Sequence, residues 1–244
     1  MELYELIYKR KSTRSYTGVP VDEETIQKIK DFITAMTPLY PEIRTRGEIV
    51  GSENVKCILP WTTPQTVVIF SEEAEGALEN VGFLYQQLDL YLQSLGLGSC
   101  WLGMGRLNPK DNEALKPKDG MNFVMMIAFG NAKGEVLRSG PAGFKRKAPE
   151  AISDQADGRL EPARLAPSSV NSQPWYFVHG GDGLHAYCAL SGLIKKTKPS
   201  DMNLIDMGIA LAHLYLANPD TFRFFKAKKP ADIKNYGYIG SFTI

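Results

Sequence analysis

The chain contains Pro167-Ser168-Ser169-Val170-Asn171-Ser172-Gln173-Pro174-Trp175, the stretch that is most informative about which fold the chain adopts. Each proline fixes its own φ and biases the preceding residue toward extended geometry, so this turn has little conformational freedom. The hydroxyls and carboxamides between the prolines hold hydrogen-bond donors and acceptors at set angles. Such a surface suits a flat heteroaromatic ligand, although Ser/Asn/Pro stretches more commonly form loops that hydrogen-bond only to themselves.

A second informative segment lies near the N-terminus, where Arg10, Lys11 and Arg14 surround Ser12. Guanidinium groups bind phosphate oxygens in a bidentate manner, and a hydroxyl adds a short hydrogen bond. The segment is therefore a candidate anion site, although a solvated face or a nucleic-acid patch has the same composition. A short helix is predicted just before it, because apolar residues fall at helical spacing at Leu3, Leu6 and Ile7.

Two further segments carry glycine or basic residues. Gly96–Gly103 follows an amphipathic pattern, and its glycines allow backbone N–H groups to approach a ring without an intervening Cβ. Phe144–Glu150 contains the run Lys145-Arg146-Lys147. Taken singly, the first is also typical of a helix C-cap and the second of a solvated surface.

Together the four segments resemble the motifs of the nitroreductase family of FMN enzymes. Pro167–Trp175 resembles the family's Pro-Ser-x-x-Asn-x-Gln-Pro-Trp signature, and Tyr8–Tyr16 resembles its Arg-Arg-Ser-x-Arg-x-Phe opening. Gly96–Gly103 resembles the loop that passes the reactive N5 of the flavin, and Phe144–Glu150 resembles a basic segment that closes the phosphate pocket. The resemblance covers most of the chain.

The resemblance implies one FMN per chain, with NAD(P)H as a transient electron donor and a nitroaromatic, quinone or similar small molecule as acceptor. The implied phosphate ligands are Arg10, Lys11, Ser12, Arg14, Lys145 and Lys147. The implied contacts to the ring or ribityl chain are Pro167, Ser168, Ser169, Asn171 and Gln173, with Trp101, Leu102 and Gly103 near N5. No side chain stands out as a general acid or base, so no catalytic residue is assigned. Trp101, Trp175 or Tyr176 could form an aromatic wall, but core packing is the commoner role for each.

Composition excludes several classes of function. The 28 basic and 27 acidic residues leave a net charge of +1, so no global field attracts nucleic acid or a membrane. No apolar run approaches the roughly 20 residues of a membrane span, and the first residues lack a signal-peptide layout. We therefore expect a cytoplasmic protein that binds a small molecule and neither nucleic acid nor a membrane.

The cysteines and histidines do not predict a metal site. Cys57, Cys100 and Cys188 are widely spaced and form no Cys-x-x-Cys pair, which argues against both zinc and a disulfide framework. The three histidines form no His-x-x-x-His pair. His213 falls in an apolar helical pattern and is predicted to be a hydrogen-bonded core residue.

The hydrophobic pattern predicts alternating helices and short strands. Helices are expected from Asp22 to Met36, from about Asn80 to Leu95 and over Asn203–Ala217. Thr45–Glu53 is predicted to be loop. Strands are expected at Thr66–Phe70, Asn122–Phe129, Pro174–Val178, Leu184–Ala189, Phe222–Lys226 and Tyr238–Ile244.

The two long helices match each other in part. Gly82 with Leu88-Asp89-Leu90 aligns with Gly208 and Leu214-Tyr215-Leu216, and Pro64–Val68 aligns with Pro174–Val178. The family motifs also occur once each, three in the first half and one in the second. We interpret this as a pseudo-dimer, because nitroreductases are usually homodimers whose flavins lie at the interface. The expected halves are 1–150 and 151–244, in a chain that is monomeric because it mimics the family dimer.

The expected fold class is α+β, nitroreductase-like, with a central antiparallel-rich sheet flanked by helices and two related halves. The expected activity is that of a nitroreductase-type oxidoreductase. A non-catalytic flavin-binding or sensing protein is the alternative, and an RNA- or anion-binding module is a weaker one. The sequence does not identify the acceptor or distinguish NADH from NADPH, and related chemistries such as dehalogenation and flavin fragmentation stay open.

Overall fold

The computed structural model describes residues 1–57, 64–108, 112–192, 198–228 and 230–244. They divide into two compact units. Unit 1 comprises Met1–Ala77 and Gln87–Gly140, and unit 2 comprises Leu78–Gln86 and Pro141–Ile244. The predicted division near residue 150 concerns evolutionary halves and stays a prediction.

The described helices and strands agree well with the sequence pattern. The helices are α1 (Leu3–Ile7), α2 (Glu23–Ala35), α3 (Ala77–Ser94), α4 (Glu161–Arg164) and α5 (Asp201–Ala217). The strands are β1 (Thr45–Gly51), β2 (Val55–Cys57), β3 (Gln65–Glu72), β4 (Gly98–Leu102), β5 (Gly105–Leu107), β6 (Met121–Gly130), β7 (Trp175–Gly180), β8 (Gly183–Ala189), β9 (Arg223–Phe225) and β10 (Tyr236–Thr243).

Capping side chains fix where two of the helices begin. Asp22 precedes α2, and its carboxylate accepts a hydrogen bond from the Thr25 N–H at 2.9 Å. Ser200 precedes α5, and its hydroxyl accepts from the Asn203 N–H at 3.2 Å. Both residues satisfy N–H groups that have no partner within the first turn of a helix.

Unit 1 contains a four-stranded antiparallel sheet in the order β1-β3-β6-β4, and a two-stranded sheet of β2 and β5. The prediction that Thr45–Glu53 is loop is wrong, because β1 pairs with β3 from Thr45 opposite Ser71 to Gly51 opposite Gln65. Val50 is the one buried residue of β1, so the apolar alternation that identifies a strand is missing. The loop expected over Gly96–Gly103 is also wrong in part, because β4 pairs with β6 over five residues.

Unit 2 contains a second four-stranded antiparallel sheet, in the order β7-β8-β10-β9. Strands β7 and β8 form a tight hairpin with Gly180 opposite Gly183. Trp175, Phe177 and Phe242 are fully buried on this sheet. The single central sheet expected from the sequence is therefore two four-stranded sheets in the part of the chain that the structure describes.

The two four-stranded sheets have the same connectivity. In each, an antiparallel pair comes first, a long helix follows, and the last strand lies between the second and third in the sheet. In unit 1 the strands taken in chain order are β1, β3, β4 and β6. In unit 2 they are β7, β8, β9 and β10. Sequence periodicity alone does not show this, because it contains no information on which strands pair.

Within unit 2, Leu78–Gln86 of α3 crosses α5 at two glycines. A methyl group on Gly82 would overlap the carbonyl oxygen of Ile205, and one on Gly208 would overlap the carbonyl oxygen of Glu79. Ile205 and Glu79 each lie three residues before a glycine of the crossing, so the contact is reciprocal. Only glycine allows the two backbones to approach this closely.

His213 on α5 is fully buried. Its Nδ1 lies 2.9 Å from the Pro162 carbonyl oxygen, and its Nε2 lies 3.1 Å from Gln86 Nε2. The prediction of a hydrogen-bonded core histidine is confirmed. None of the described helices is long and apolar enough to cross a membrane.

Candidate functional site

In unit 1 the N-terminal basic segment (Arg10–Arg14) is joined to strand β4. Ser12 and Ser99 form a parallel bridge, and the Thr13 N–H donates to the Ser99 carbonyl at 2.8 Å. The structure therefore brings two of the motif segments together, because β4 contains Trp101 and Leu102 and ends next to Gly103.

Arg10 is buried in an ion pair. Its Nε lies 3.1 Å from Asp89 Oδ2, and the two side chains are 3% and 0% exposed. Arg10 Nη2 also donates to the Ser12 hydroxyl at 3.2 Å, and Asp89 accepts from the Ser99 hydroxyl at 2.6 Å. Arg10 thus holds Ser12 and β4 in place, a role that its position in a basic motif does not indicate.

Lys11 and Arg14 are more accessible than Arg10. The Lys11 N–H donates to Gln93 Oε1 at 3.2 Å, which fixes the backbone, and Lys11 as a whole is half-buried. The Cys100 thiol lies among Arg10, Ser12 and Arg14: burial raises its pKa, and these three residues lower it in part. Arg10, Ser12 and Arg14 are therefore neighbours around one point of β4.

Arg138 joins this segment and was not predicted. Its backbone N–H donates to the Lys9 carbonyl at 2.7 Å, and its Nε donates to the Arg10 carbonyl at 3.2 Å. Burial, and then the charge of Arg10, lower the pKa of Arg138. No spacing in the sequence signals this contact, because it joins residues 128 positions apart.

Trp101, Leu102 and Gly103 lie at the end of β4. Leu102 is buried, Trp101 is half-buried and Gly103 is exposed. Trp175 is completely buried in unit 2 and is a core residue, whereas Tyr176 is half-buried. Of the three aromatic residues considered for a pocket wall, Trp175 is thus excluded.

In unit 2 the turn Ser168–Gln173 is closed by its own hydrogen bonds. The Ser168 hydroxyl accepts from the Gln173 N–H at 2.9 Å, and the Asn171 N–H donates to the Ser168 carbonyl at 3.0 Å. Val170, Asn171 and Gln173 have positive φ angles of 46°, 58° and 49°. Such angles are uncommon outside glycine, above all for a β-branched residue, and each costs on the order of 1–3 kcal/mol.

The basic segment Lys145–Lys147 packs on this turn, also within unit 2. Arg146 Nη1 donates to Asn171 Oδ1 at 2.8 Å, and Asn171 Nδ2 donates to the Lys145 carbonyl at 3.0 Å. The Lys147 N–H and Nζ donate to Gln173 Oε1 and to the Gln173 carbonyl at 2.7 and 2.8 Å. Burial lowers the pKa of Lys147, and the Lys145 side chain is exposed. Arg146, which was not among the predicted ligands, is the side chain that holds Asn171.

Asp206 on α5 holds the start of the same turn. The side chain is 4% exposed, and each carboxylate oxygen lies 3.0 Å from the Ser169 N. Burial raises the pKa of Asp206 to about 7, although hydrogen bonds from Ser169 and Ser172 act in the opposite direction. Its only signal in the sequence is an acidic residue within an almost wholly apolar helix.

Across the described ranges, no group of three or more His, Cys, Asp or Glu side chains is placed to hold a metal ion. Cys100 and Cys188 are free and buried. The backbone of Cys57 lies in β2, and its side chain falls outside the described part of the chain.

A family model described as "Putative TM nitroreductase" matches residues 2–218. Among solved structures, the chain is similar to "a putative nitroreductase" from Thermotoga maritima, with a TM-score of 0.62, 20% identity, and coverage of 98% of this chain and 94% of that chain. At this identity the likeness shows the fold alone. None of the curated proteins compared with the chain matches it.

Two weaker structural matches have TM-scores below one half. One is a nitroreductase with bound FMN from Desulfitobacterium hafniense, with a TM-score of 0.46, 14% identity, and coverage of 61% of this chain and 100% of that chain. The other is an FMN-dependent nitroreductase from Clostridium difficile, with a TM-score of 0.44, 18% identity, and coverage of 60% and 98%.

Proposed function

The chain belongs to the nitroreductase family, and from this membership we propose that it is an FMN-dependent oxidoreductase. The observation that supports this best is the N-terminal basic segment on β4. Its donors match a phosphate monoester, since the guanidinium groups of Arg10 and Arg14 and the Ser12 hydroxyl lie beside Cys100. Burial and the nearby charge of Arg10 both disfavour the charged form of Arg138, so an anion bound here would be stabilising.

We assign roles to the residues of each unit by chemistry. In unit 1, Arg10, Lys11, Ser12 and Arg14 bind phosphate, and Trp101, Leu102 and Gly103 contact the ring, with a backbone N–H near Leu102 or Gly103 available as a donor. In unit 2, Lys145 and Lys147 contribute positive charge, and the ring or ribityl contacts come from Pro167, Ser168, Ser169, Asn171 and Gln173.

The side chains of Asn171 and Gln173 already bond within unit 2, so the proposed contribution of the turn is a fixed shape with oriented backbone groups. A binding surface that is rigid before binding avoids the entropy cost of ordering it. The hydrogen bonds from Arg146 and Lys147 supply that rigidity.

Bound FMN would supply the redox chemistry, with NAD(P)H leaving before a nitroaromatic, quinone or similar acceptor enters. The chain's own residues would orient the flavin, neutralise the charge of its phosphate and exclude water from it. None of the proposed site residues is a histidine or a carboxylate, which fits a reaction in which the protein supplies position and electrostatics.

We further infer that the chain arose by internal duplication. Two observations favour this: the shared strand connectivity of the two sheets, and the reciprocal glycine crossing at Gly82 and Gly208. Exchange of α3 and α5 maps each glycine contact onto the other, as a two-fold axis in a homodimer would. A duplicated chain that mimics a dimer is expected to be monomeric, which sedimentation equilibrium would test.

Anaerobic stopped-flow mixing with NADH and with NADPH tests the catalytic part of the proposal. We expect the flavin absorbance to bleach with at least one donor and to return on adding a quinone or a nitroaromatic. Protein that binds FMN but is not reduced by either donor would instead be a flavin-binding or sensing protein.

A further inference from the structure

The carboxylate of Asp206 is anchored in the middle of unit 2, while the groups it holds belong to a surface turn. Asp206 lies in the second turn of α5, a helix of 17 residues whose neighbouring positions are buried. Both of its oxygens accept from the Ser169 N–H at 3.0 Å, and Oδ2 lies 3.4 Å from the Ser172 hydroxyl. One buried side chain thus contacts two points of the turn.

The turn has a conformation that needs such an anchor. Val170, Asn171 and Gln173 have positive φ angles, and the Val170 side chain is 96% exposed, so packing of that side chain does not stabilise its own backbone. Residues in sparsely populated φ/ψ regions persist only where surrounding contacts impose them. Asp206 on one side, and Arg146 and Lys147 on the other, are those contacts.

The surroundings of Asp206 disfavour its ionised form. The charged and titratable side chains on the elements packed against α5 are Glu79 and Tyr85 on Leu78–Gln86 of α3, Glu161 and Arg164 on α4, Tyr176 and His179 on β7, and His185, Tyr187 and Cys188 on β8. On α5 itself they are Asp201, His213 and Tyr215. Arg164 pairs with Glu161, and His179 pairs with Asp154 and Asp157. The pKa of the Cys188 thiol is raised first by burial and then by Glu79 and Asp206, whereas burial is the cause that raises the pKa of Asp206.

We propose that Asp206 is a positioning residue whose carboxylate fixes Ser169–Gln173 in the shape that binds flavin, and whose protonation loosens that turn. This proposal rests on the proposed function of the turn as a flavin contact. The physical reason is that a hydrogen bond to an ionised acceptor is roughly twice as strong as one to a neutral acceptor. Loss of the charge therefore weakens the contact at Ser169, where the strained segment begins.

The sign of the pH dependence follows from the burial of Asp206. Because burial raises the pKa of Asp206 to about 7, the carboxylate changes charge across neutral pH. Above that value it is ionised and the turn is held firmly; below it the turn is freer. By linkage, flavin binding that favours the held turn lowers the pKa of Asp206.

Amide hydrogen exchange tests the positioning role without any flavin. We expect Asp206→Asn to raise the exchange rate of the Ser169–Ser172 amides by about tenfold at about pH 8, after correction for intrinsic rates. In the wild type the protection of the Ser169–Ser172 amides against exchange should fall as the pH is lowered to about 6. The matched control is Asp220→Asn, the same substitution at an exposed position, and it should leave these amides unchanged.

Riboflavin affinity tests the consequence for binding. Riboflavin lacks the phosphate, whose own ionisation near pH 6 would obscure the profile. Wild-type Kd should weaken about three- to tenfold between about pH 8 and about pH 6, whereas the Asp206→Asn Kd should be independent of pH in this range.

Each outcome is decisive. The positioning role is overturned if Asp206→Asn leaves the exchange rates of the Ser169–Ser172 amides unchanged. It is also overturned if the riboflavin Kd of Asp206→Asn depends on pH in the same way as that of the wild type. If the wild type binds neither FMN nor riboflavin at any pH, the proposed function fails, while the exchange data still decide the role of Asp206. If Asp206→Asn does not fold, flat wild-type exchange between the two pH values overturns the proposal.

Discussion

Two arginines of one motif have different environments. Arg10 is 3% exposed and paired with Asp89, which is completely buried. Arg14 is exposed beside Cys100. In the sequence both appear equally suited to bind phosphate, because the motif gives residue type and not burial. Under the proposed function we therefore expect the loss of Arg14 to weaken ligand binding, and the loss of Arg10 or Asp89 to lower stability.

We predict that Arg14→Ala weakens FMN binding by about ten- to a hundredfold, or roughly 1.4–2.7 kcal/mol. Riboflavin binding should change little, because the lost interaction is with phosphate. Isothermal titration of both ligands measures this difference. Arg106→Ala, an exposed arginine of β5, is the matched control. Equal losses for FMN and riboflavin would show that Arg14 is structural.

Breaking the buried ion pair should destabilise the fold. Asp89→Ala leaves the Arg10 guanidinium buried without its carboxylate, which costs on the order of 3–5 kcal/mol. Urea unfolding monitored by circular dichroism measures this cost. Glu24→Ala removes the exposed pair with Lys28 and should leave the midpoint unchanged. Equal midpoints for Asp89→Ala and the wild type would contradict the buried-pair account.

His179 makes stability depend on pH. Its Nδ1 lies 2.7 Å from Asp154 and its Nε2 lies 3.1 Å from Asp157, and these carboxylates raise its pKa, although desolvation opposes them. Because the pKa of His179 is raised on folding, its contribution to stability is fully present below the unfolded value of 6.5. This contribution is lost as the pH rises through the pKa of the folded state.

The wild type should therefore exceed His179→Gln in Tm at mildly acidic pH, and the difference should shrink at alkaline pH. Because His179 and its two carboxylate partners are partly exposed, we expect a difference of less than about 1 kcal/mol, which is at most roughly 2–4 °C in Tm. Scanning calorimetry at several pH values measures the difference. A difference that grows with rising pH would contradict this assignment.

At the scale of elements, periodicity predicted the apolar segments and missed the polar ones. The helices α2, α3 and α5, and strands β3, β6, β7 and β8, lie where the pattern indicated them. Strand β1 was missed because only one of its seven residues is buried, so the sequence shows no apolar alternation there. The strand is held by its backbone pairing with β3. Strand β4 was expected to be loop because Gly96–Gly103 resembles the family's loop near N5 and its glycines are typical of turns.

The glycine crossing of α3 and α5 gives an element-scale prediction. Gly82→Ala and Gly208→Ala should each destabilise the protein by about 1–3 kcal/mol, because the new methyl groups overlap backbone carbonyls. This exceeds the gain in helix propensity from replacing glycine. Thermal unfolding of both variants measures it. Gly134→Ala, where nothing lies within 4 Å of the added methyl, is the control. A destabilised control with unaffected helix variants would contradict the close crossing.

At the scale of the whole molecule, the sequence motifs identified the family, and the α+β class with antiparallel sheets agrees with the fold. The division of the strands into two sheets of equal connectivity was not predictable, because strand pairing depends on contacts far apart along the chain. For the same reason Arg138 and Asp206 were missed, since both contribute through long-range hydrogen bonds and neither belongs to a motif. Arg146 lies in the basic segment, but its hydrogen bond to Asn171 joins residues 25 positions apart and no pattern signals it.

The most direct test of the central claim is to release the flavin from purified protein and count it per polypeptide. Absorbance and chromatography against FMN, FAD and riboflavin standards identify the species. We predict FMN at about one equivalent per chain, since each motif occurs once. Protein that carries no flavin, and takes up none when incubated with FMN, would contradict the proposed function, and two equivalents per chain would contradict the single site.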